Sequence, residues 1–404
     1  MSSMNRKFKD DLGQHMTPSA VARLFGSEVL GTPTAVIDLA VGDGALLAAI
    51  QRVHSGAVLC GVDCDPARLE QAAKAVQGAR LRLGDGLSVK FPRLNKEDQQ
   101  RVLIVGNPPF LFSQSTKIDV AWQSSAFPDV DSKHGIRRTE MSFFSRALVE
   151  AKKRKGIVAI LMPSPFASGI LYAPYRQSLL RDFNLLKVVN IEDARYRDTE
   201  ASTVLLVVDT ATTGTKDVEI SRFCATQETK QVVYMGPIGE IDRLDAGFWS
   251  AIDLHRSKVP TLGDVGVDVA RGRFCKADAE RMQRRVLHTT DLCSQAGATI
   301  RLSGAFDADK DGYDITARTG DILLARTGTR VRWEPIIVTS GSAPITDHIL
   351  RIRAPKNMRA EVAASFMHPN FATWLSSVSK GVCATVITKR ELLRMPLFAS
   401  RQTC

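Results

Sequence analysis

Short apolar runs alternate with amphipathic stretches through the first half of the chain. Ala35-Val36-Ile37-Asp38-Leu39 reads as a buried strand, and Ala45 to His54 as a helix. Val58-Leu59-Cys60-Gly61-Val62 is a second strand. Asp65 then caps a helix that has Pro66 in its first turn and runs to about Gln77. Arg80 to Leu83 makes a short third strand and Val102-Leu103-Ile104-Val105 a fourth. A long helix is predicted from Thr139 to Lys155, stopped by Gly156. Ile157 to Met162, Leu185 to Ile191 and Thr203 to Val208 complete the strand set. Strands and helices alternating in this way predict an α/β domain with a doubly wound, mostly parallel, Rossmann-like sheet.

Two regions break the rhythm. Between Leu111 and Arg138 periodicity vanishes, although Trp122 and Phe127 lie inside. The expectation there is a long functional loop that orders over a bound substrate. The pattern changes again near residues 210–245. Beyond come short strands and turns: Gly320 to Thr329, Ile336-Ile337-Val338 and Ile349 to Arg353, then a helix from Ala360 to Ser379. The expected division is a domain over 1–245 and a second, smaller, mixed α+β domain over 246–404.

The chain has 404 residues, 44% of them hydrophobic and 24% charged. That composition excludes disordered and collagen-like chains and suits two globular domains. No apolar run approaches the roughly 18 residues of a membrane span, and Met1 to Asp11 lacks the apolar stretch of a secretory signal. A cytoplasmic monomer is the default expectation. The seven cysteines are scattered, and the Cys60, Cys64 pair has no second pair to complete a zinc site, so reduced thiols and no metal are expected. The acidic run Asp307, Asp309, Asp311 lacks the glycine of a calcium loop.

Net charge is +11. Residues 1–245 hold 31 basic and 28 acidic side chains, whereas residues 246–404 hold 23 and 15, with 17 of the 23 being Arg. Arginine offers a planar fork suited to phosphates and guanine edges. A polyanion partner for the second domain follows as an expectation. Lys152-Lys153-Arg154-Lys155 reads as a charged helix end.

Candidate chemistry gathers at strand ends. Asp38-Leu39-Ala40-Val41-Gly42-Asp43-Gly44 follows the first strand and opens a helix, where glycines allow a tight turn and close ligand approach. Asp63 ends the second strand and suits a ribose diol, and Asp85 follows the third within Gly84-Asp85-Gly86. A dinucleotide is disfavoured because Gly42-Asp43-Gly44-Ala45-Leu46-Leu47 lacks the third glycine of GxGxxG. At the end of the fourth strand stands Asn107-Pro108-Pro109-Phe110. The prolines hold Asn107 and Pro108 extended. The Asn107 side-chain oxygen and the Pro108 carbonyl can then face one point, with the Phe110 ring beside them. Such a site accepts both hydrogens of a planar amino group.

These residues resemble the methyltransferase fold that binds S-adenosylmethionine. Asn-Pro-Pro-Phe is similar to the motif of enzymes that methylate an exocyclic amino or amide nitrogen. Gly13-Gln14-His15-Met16-Thr17-Pro18, before the first strand, resembles the extra cofactor motif of the gamma group of DNA N6-adenine methyltransferases. Motif order matches that group, which ends in a target-recognition domain. Gly320 to Arg330, Asp347 to Arg351 and Trp374 to Leu397 look similar to such domains and to specificity subunits of type I restriction systems.

The resemblance implies a role for each matching position. Thr17 would contact the methionine part of the cofactor. Asp38, Ala40, Gly42 and Gly44 would hold it at the first turn. Asp63 would bind the ribose, Cys64 would border the adenine and Asp85 would accept from its amino group. Gly86 stands where some relatives carry an aromatic, with Leu87 as a substitute. Asn107, Pro108, Phe110 and Tyr196 would form the catalytic set, Tyr196 covering the second face of an extruded base. Arg326, Thr327, Thr329 and Arg330 would contact DNA. Double-stranded DNA is the implied partner, and a cognate restriction endonuclease a possible second. The alternatives are ribosomal RNA, a protein glutamine or cytosine N4 as acceptor, and a non-catalytic DNA specificity module.

Overall fold

The computed structural model describes residues 16–29, 31–112, 117–131, 136–194, 202–239, 243–256, 258–281, 286–293, 299–302, 315–328, 334–379 and 385–398. The chain forms two compact units, Met1–Ala246 and Gly247–Cys404.

In the first unit the described strands are β1 Ala35–Asp38, β2 Val58–Asp63, β3 Arg80–Leu83, β4 Val102–Gly106, β5 Ile157–Pro163, β6 Asn184–Glu192, β7 Thr203–Asp209, β8 Val218–Cys224 and β9 Thr229–Gly236. They lie in one sheet in the order β3-β2-β1-β4-β5-β7-β6-β8-β9. The first five pair in parallel, and β7 runs antiparallel between β5 and β6. The order reverses direction at β1, the place where such sheets leave a crevice beyond their carboxyl ends. This is the expected α/β, doubly wound architecture.

The helices are α1 Ser19–Glu28, α2 Ala45–Val53, α3 Pro66–Ala75, α4 Lys117–Ala126, α5 Thr139–Lys152, α6 Pro165–Ser168 and α7 Ala173–Asp182. Strands β1, β4 and β5 are buried on both faces, which is why they read as continuous apolar runs. One face packs Val36, Leu103, Leu161 and Leu205 against Phe25, Leu47 and Ile50 from α1 and α2. Beside the sheet, Phe127 just after α4, Phe144 of α5, Phe166 of α6, Tyr172, Tyr175 of α7 and Phe183 just after it form an aromatic cluster whose rings meet mostly edge to face.

Helix α1 is tied to the sheet by a buried ion network. Glu28, 5% exposed, accepts from Lys187 Nζ at 2.8 Å and Lys230 Nζ at 2.6 Å. Burial pushes this carboxyl up, but the two ammonium groups outweigh it and hold the group below its ordinary value. The network anchors the C-terminal end of α1 to β6 and β9.

Three expectations are corrected. The region Leu111 to Arg138 is not all loop, because α4 lies within it. Its pattern hid because Asp119 and Gln123 are buried while Ile118 and Val120 are exposed, which inverts the apolar stripe. The stretch 210–245 is not a transition zone: β8 and β9 form an antiparallel hairpin that extends the sheet. The helix expected over 360–379 is two helices, Arg359–Met367 and Pro369–Val378. Pro369 has no N–H to continue the first, and His368 instead caps the second through Nδ1.

In the second unit the described strands are β10 Asp268–Arg271, β11 Thr299–Arg301, β12 Thr316–Arg318, β13 Ile322–Ala325, β14 Thr327–Gly328, β15 Ile336–Ser340, β16 Ser342–Pro344, β17 Ile349–Arg353 and β18 Thr385–Val386. A five-stranded mixed sheet in the order β10-β17-β13-β15-β11 is accompanied by the ribbons β12-β16 and β14-β18. Leu324, Leu350, Phe366, Trp374 and Leu392 make the core on which the two helices sit. Part of the arginine surplus is internal: Arg351, 7% exposed, pairs with Asp268, and Arg353 holds both oxygens of buried Asp321 at 2.8 and 2.7 Å.

Candidate functional site

The carboxyl ends of β1 to β4 open onto a cleft with about 990 Å³ of empty space, part of it open to solvent. The turn after β1 makes its floor. Gly42 and Gly44 take φ of 55° and 86°, in the left-handed region. A Cβ on Gly44 would lie 3.1 Å from the Ala72 backbone, so glycine, already favoured by its φ, also eases the close approach of α2 and α3.

Two carboxylates brace this turn. The Ala40 N–H donates to Asp38 Oδ1 at 2.9 Å. The Gly42 N–H donates to Asp63 Oδ2 at 2.8 Å, and the Asp65 N–H to Asp63 Oδ1 at 2.9 Å. Asp63 thereby links the first turn to the second strand. Asp38 is 1% exposed, and burial pushes its carboxyl up to about 7; the Ala40 N–H opposes this, while the charges of Asp63 and Asp43 add to it. A cation entering the cleft would favour its ionised form.

Asp85 stands exposed at the rim, its oxygens accepting from the Leu87 N–H and the Ser88 hydroxyl, both at 2.9 Å. The segment behind it is clamped. Arg146 from α5, 2% exposed, donates to the carbonyls of Gly86 and Val89. Trp122 from α4 donates to the Leu87 carbonyl at 2.9 Å and lies under the Arg146 guanidinium, 5.2 Å from the ring centre.

Gly86 cannot carry a side chain here. A Cβ would fall 1.8 Å from the Leu39 carbonyl oxygen and 2.7 Å from Phe143 Cε1. Phe143, from α5, therefore fills the space a residue at 86 would take, and it lines the cleft beside Leu87.

On the far wall Asn107 Nδ2 donates to Thr17 Oγ1 at 3.0 Å. Two motifs 90 residues apart thus meet on one edge of the cleft. Thr17, Asp38, Ala40, Gly42, Asp63, Cys64, Asp85 and Asn107 all line it. Gly44 shapes the turn without lining the cleft. Pro108 is buried and Phe110 half-buried, and the lining from this motif comes from Asn107 and Pro109. Tyr196 lies outside the described residues, as do Gly13, Gln14 and His15. The sequence reading did not single out Arg68, Thr139, Phe143 or Arg146. All sit on helices whose amphipathic pattern looks like ordinary core; only the fold brings Arg68, Thr139 and Phe143 to the cleft wall and Arg146 behind its rim.

In the second unit, the Arg326 N–H donates to the His348 carbonyl at 2.8 Å, and the Thr327 hydroxyl meets His348 Nδ1. Both residues are half-buried at the start of the β14-β18 ribbon. Thr329 and Arg330 lie outside the described residues, as does the Asp307 to Asp311 run. In the first unit, Lys153 and Arg154 of the basic run both pair with Glu150 at 2.9 Å, and Arg154 also lies over Phe91, consistent with a charged helix end.

No family model matches the chain, and no curated protein matches it. Solved structures of similar shape include a type I restriction-modification methyltransferase subunit from Streptococcus thermophilus, 19% identical over 53% of this chain and 48% of that one, with a TM-score of 0.43. The type I restriction enzyme EcoKI M protein is 16% identical over 52% and 48%, with a TM-score of 0.39. The type IIG restriction endonuclease BpuSI is 12% identical over 93% of this chain and 57% of that one, with a TM-score of 0.47. The chain thus spans about half the length of these structures. With likenesses this distant, the functional reading rests on the site.

Proposed function

We propose that the first unit is a methyltransferase that uses S-adenosylmethionine to methylate the N6 amino group of an adenine turned out of duplex DNA. The observation that carries this reading is the Asn107–Thr17 hydrogen bond at the edge of a cleft that also gathers Asp38, Asp63 and Asp85.

The cleft fits the cofactor. Asp63 and Asp85 offer acceptors for a ribose diol and for a base amino group, and Leu87 and Phe143 give apolar walls for a planar ring. Buried Asp38 complements positive charge. When bound, S-adenosylmethionine supplies an electrophilic methyl group on a sulfonium.

Adenine N6 is a poor nucleophile because its lone pair is delocalised into the ring. Asn107 Oδ1 and the Pro108 carbonyl would accept its two hydrogens and favour a more tetrahedral nitrogen, stabilising the charge that develops during transfer. Donation from Nδ2 to Thr17 sets the plane of the Asn107 amide for that task. Phe110 would stack on the base, and Tyr196 would cover its other face. Alignment supplies the rest, and no general base is required before transfer. A stacked base cannot reach such a site, so extrusion is part of the proposal.

The second unit would position the duplex through Arg326 and Thr327, with Thr329 and Arg330 beside them. DNA marked in this way is what a cognate restriction endonuclease would leave uncut. The test is to offer labelled S-adenosylmethionine with unmethylated genomic DNA, total RNA and protein in parallel. Label in DNA alone supports the reading, and label in RNA or protein alone overturns it.

A further inference from the structure

Ile170 and Leu171 are 75% and 76% exposed, although both are large and apolar. They occupy a single 3-10 turn, Ile170–Tyr172, that follows β5 and α6. The turn is braced from below. The Gly169 N–H donates to the Pro165 carbonyl at 2.7 Å. Arg176, 1% exposed, donates through Nη1 to the carbonyls of Phe166 and Gly169, each at 2.8 Å. Tyr172 is buried with its ring edge-on to Phe166, 5.6 Å between centres. A side chain at Gly169 would come within 2.6 Å of the Pro165 oxygen. A braced platform thus holds two bulky apolar side chains side by side in water, and contiguous exposed apolar surface is a mark of interaction sites.

The turn follows the carboxyl end of β5, on the edge of the sheet where the cleft opens. β5 runs parallel beside β4, so its carboxyl end emerges on the same edge as Asn107. Leu111 and Thr139 both line the cleft and are joined by the Thr139 N–H to the Leu111 carbonyl at 3.1 Å. The next pair outward is the Phe112–Arg138 bridge, and Phe112 is 75% exposed. Tyr172 lies close enough to Glu140 and Arg138 to feel both charges. Exposed Arg137 adds positive charge to this edge.

We propose that Ile170 and Leu171 form an apolar wedge that enters the base stack of duplex DNA beside the extruded base. The proposal rests on the methyltransferase reading above. A base that leaves a duplex vacates a gap between two aromatic faces, and aliphatic side chains fill such a gap where polar ones would not. A duplex delivering a base to Asn107 would lie against this edge, and the exposed Arg137 side chain suits its phosphates, Arg138 being paired with buried Glu140 at 2.8 Å. A braced turn keeps the wedge from collapsing onto the protein before DNA arrives.

The test is the double variant Ile170→Ala/Leu171→Ala, whose side chains are largely exposed, with an unchanged Tm as the control for folding. Methyl transfer is measured on a duplex and on the same sequence as a single strand, with 2-aminopurine fluorescence at the methylated position reporting extrusion. The duplex rate is expected to fall by about tenfold or more with loss of the fluorescence rise, while the single-strand rate is unchanged. Equal duplex rates and equal fluorescence in both proteins overturn the wedge alone. A dimer that the variant converts to a monomer, with duplex rate intact, also overturns it and assigns the surface to a second copy. Absence of transfer by the unsubstituted protein to either DNA form refutes the methyltransferase reading, and the wedge with it.

Discussion

Asn107 Nδ2 and Thr17 Oγ1 lie 3.0 Å apart, joining the residue that would hold the target amino group to one that would hold the cofactor. The bond couples two binding events through one amide plane. Thr17→Val removes the acceptor while keeping the shape. A single hydrogen bond is worth about 1 kcal/mol, so transfer should fall roughly fivefold to tenfold. The drop should appear in kcat more than in the KM for DNA, measured by steady-state transfer of labelled methyl.

Gly86 and Phe143 compete for one space. Gly86→Ala places a methyl group against the Leu39 carbonyl and should weaken cofactor binding and lower the Tm. Phe143→Ala opens the cleft wall and should raise the Kd for S-adenosylmethionine by about tenfold, the worth of one aromatic face. Calorimetric titration of both variants checks this. Equal affinity in Phe143→Ala would remove Phe143 from the base-binding wall.

Asp38 carries a pH dependence. Its carboxyl is raised from 3.8 to about 7, so the folded protein binds a proton that the unfolded chain releases across that window. Its contribution to stability is therefore greatest at low pH and is lost as pH rises from about 4 to about 7. Affinity for the cationic cofactor should run the other way and strengthen as pH rises through 7. Asp38→Asn should flatten both curves, read by thermal melts and by binding titrations from pH 5.5 to 8.5.

Arg353 and Arg326 separate architecture from recognition in the second unit. Arg353→Met leaves Asp321, 2% exposed, without its charge partner and should lower the Tm by several degrees. Arg326→Ala should leave the Tm unchanged and weaken DNA binding with a shallower salt dependence. Melts and salt-titrated DNA binding distinguish the two.

The legible parts of the fold were those with a period. β1, β2, β4 and β5 announced themselves as apolar runs because both faces are buried, and the glycines and acids at their ends marked the cleft. The β8–β9 hairpin did not, because β9 is an edge strand with mostly exposed or half-buried side chains. α4 was hidden by its inverted stripe. Phe143 was silent for a different reason: on a helix with Met141, Phe144 and Leu148 around it, nothing local distinguishes a residue facing a cleft from one facing the core.

The most direct test of the central claim is nucleoside analysis of DNA methylated in vitro by the protein and by Asn107→Ala. The account predicts N6-methyladenine at one short sequence, with the variant slower by about a hundredfold or more, as expected for loss of a fixed group at a reacting centre. N4-methylcytosine as the product, or an Asn107→Ala variant as fast as the unsubstituted protein, would contradict it.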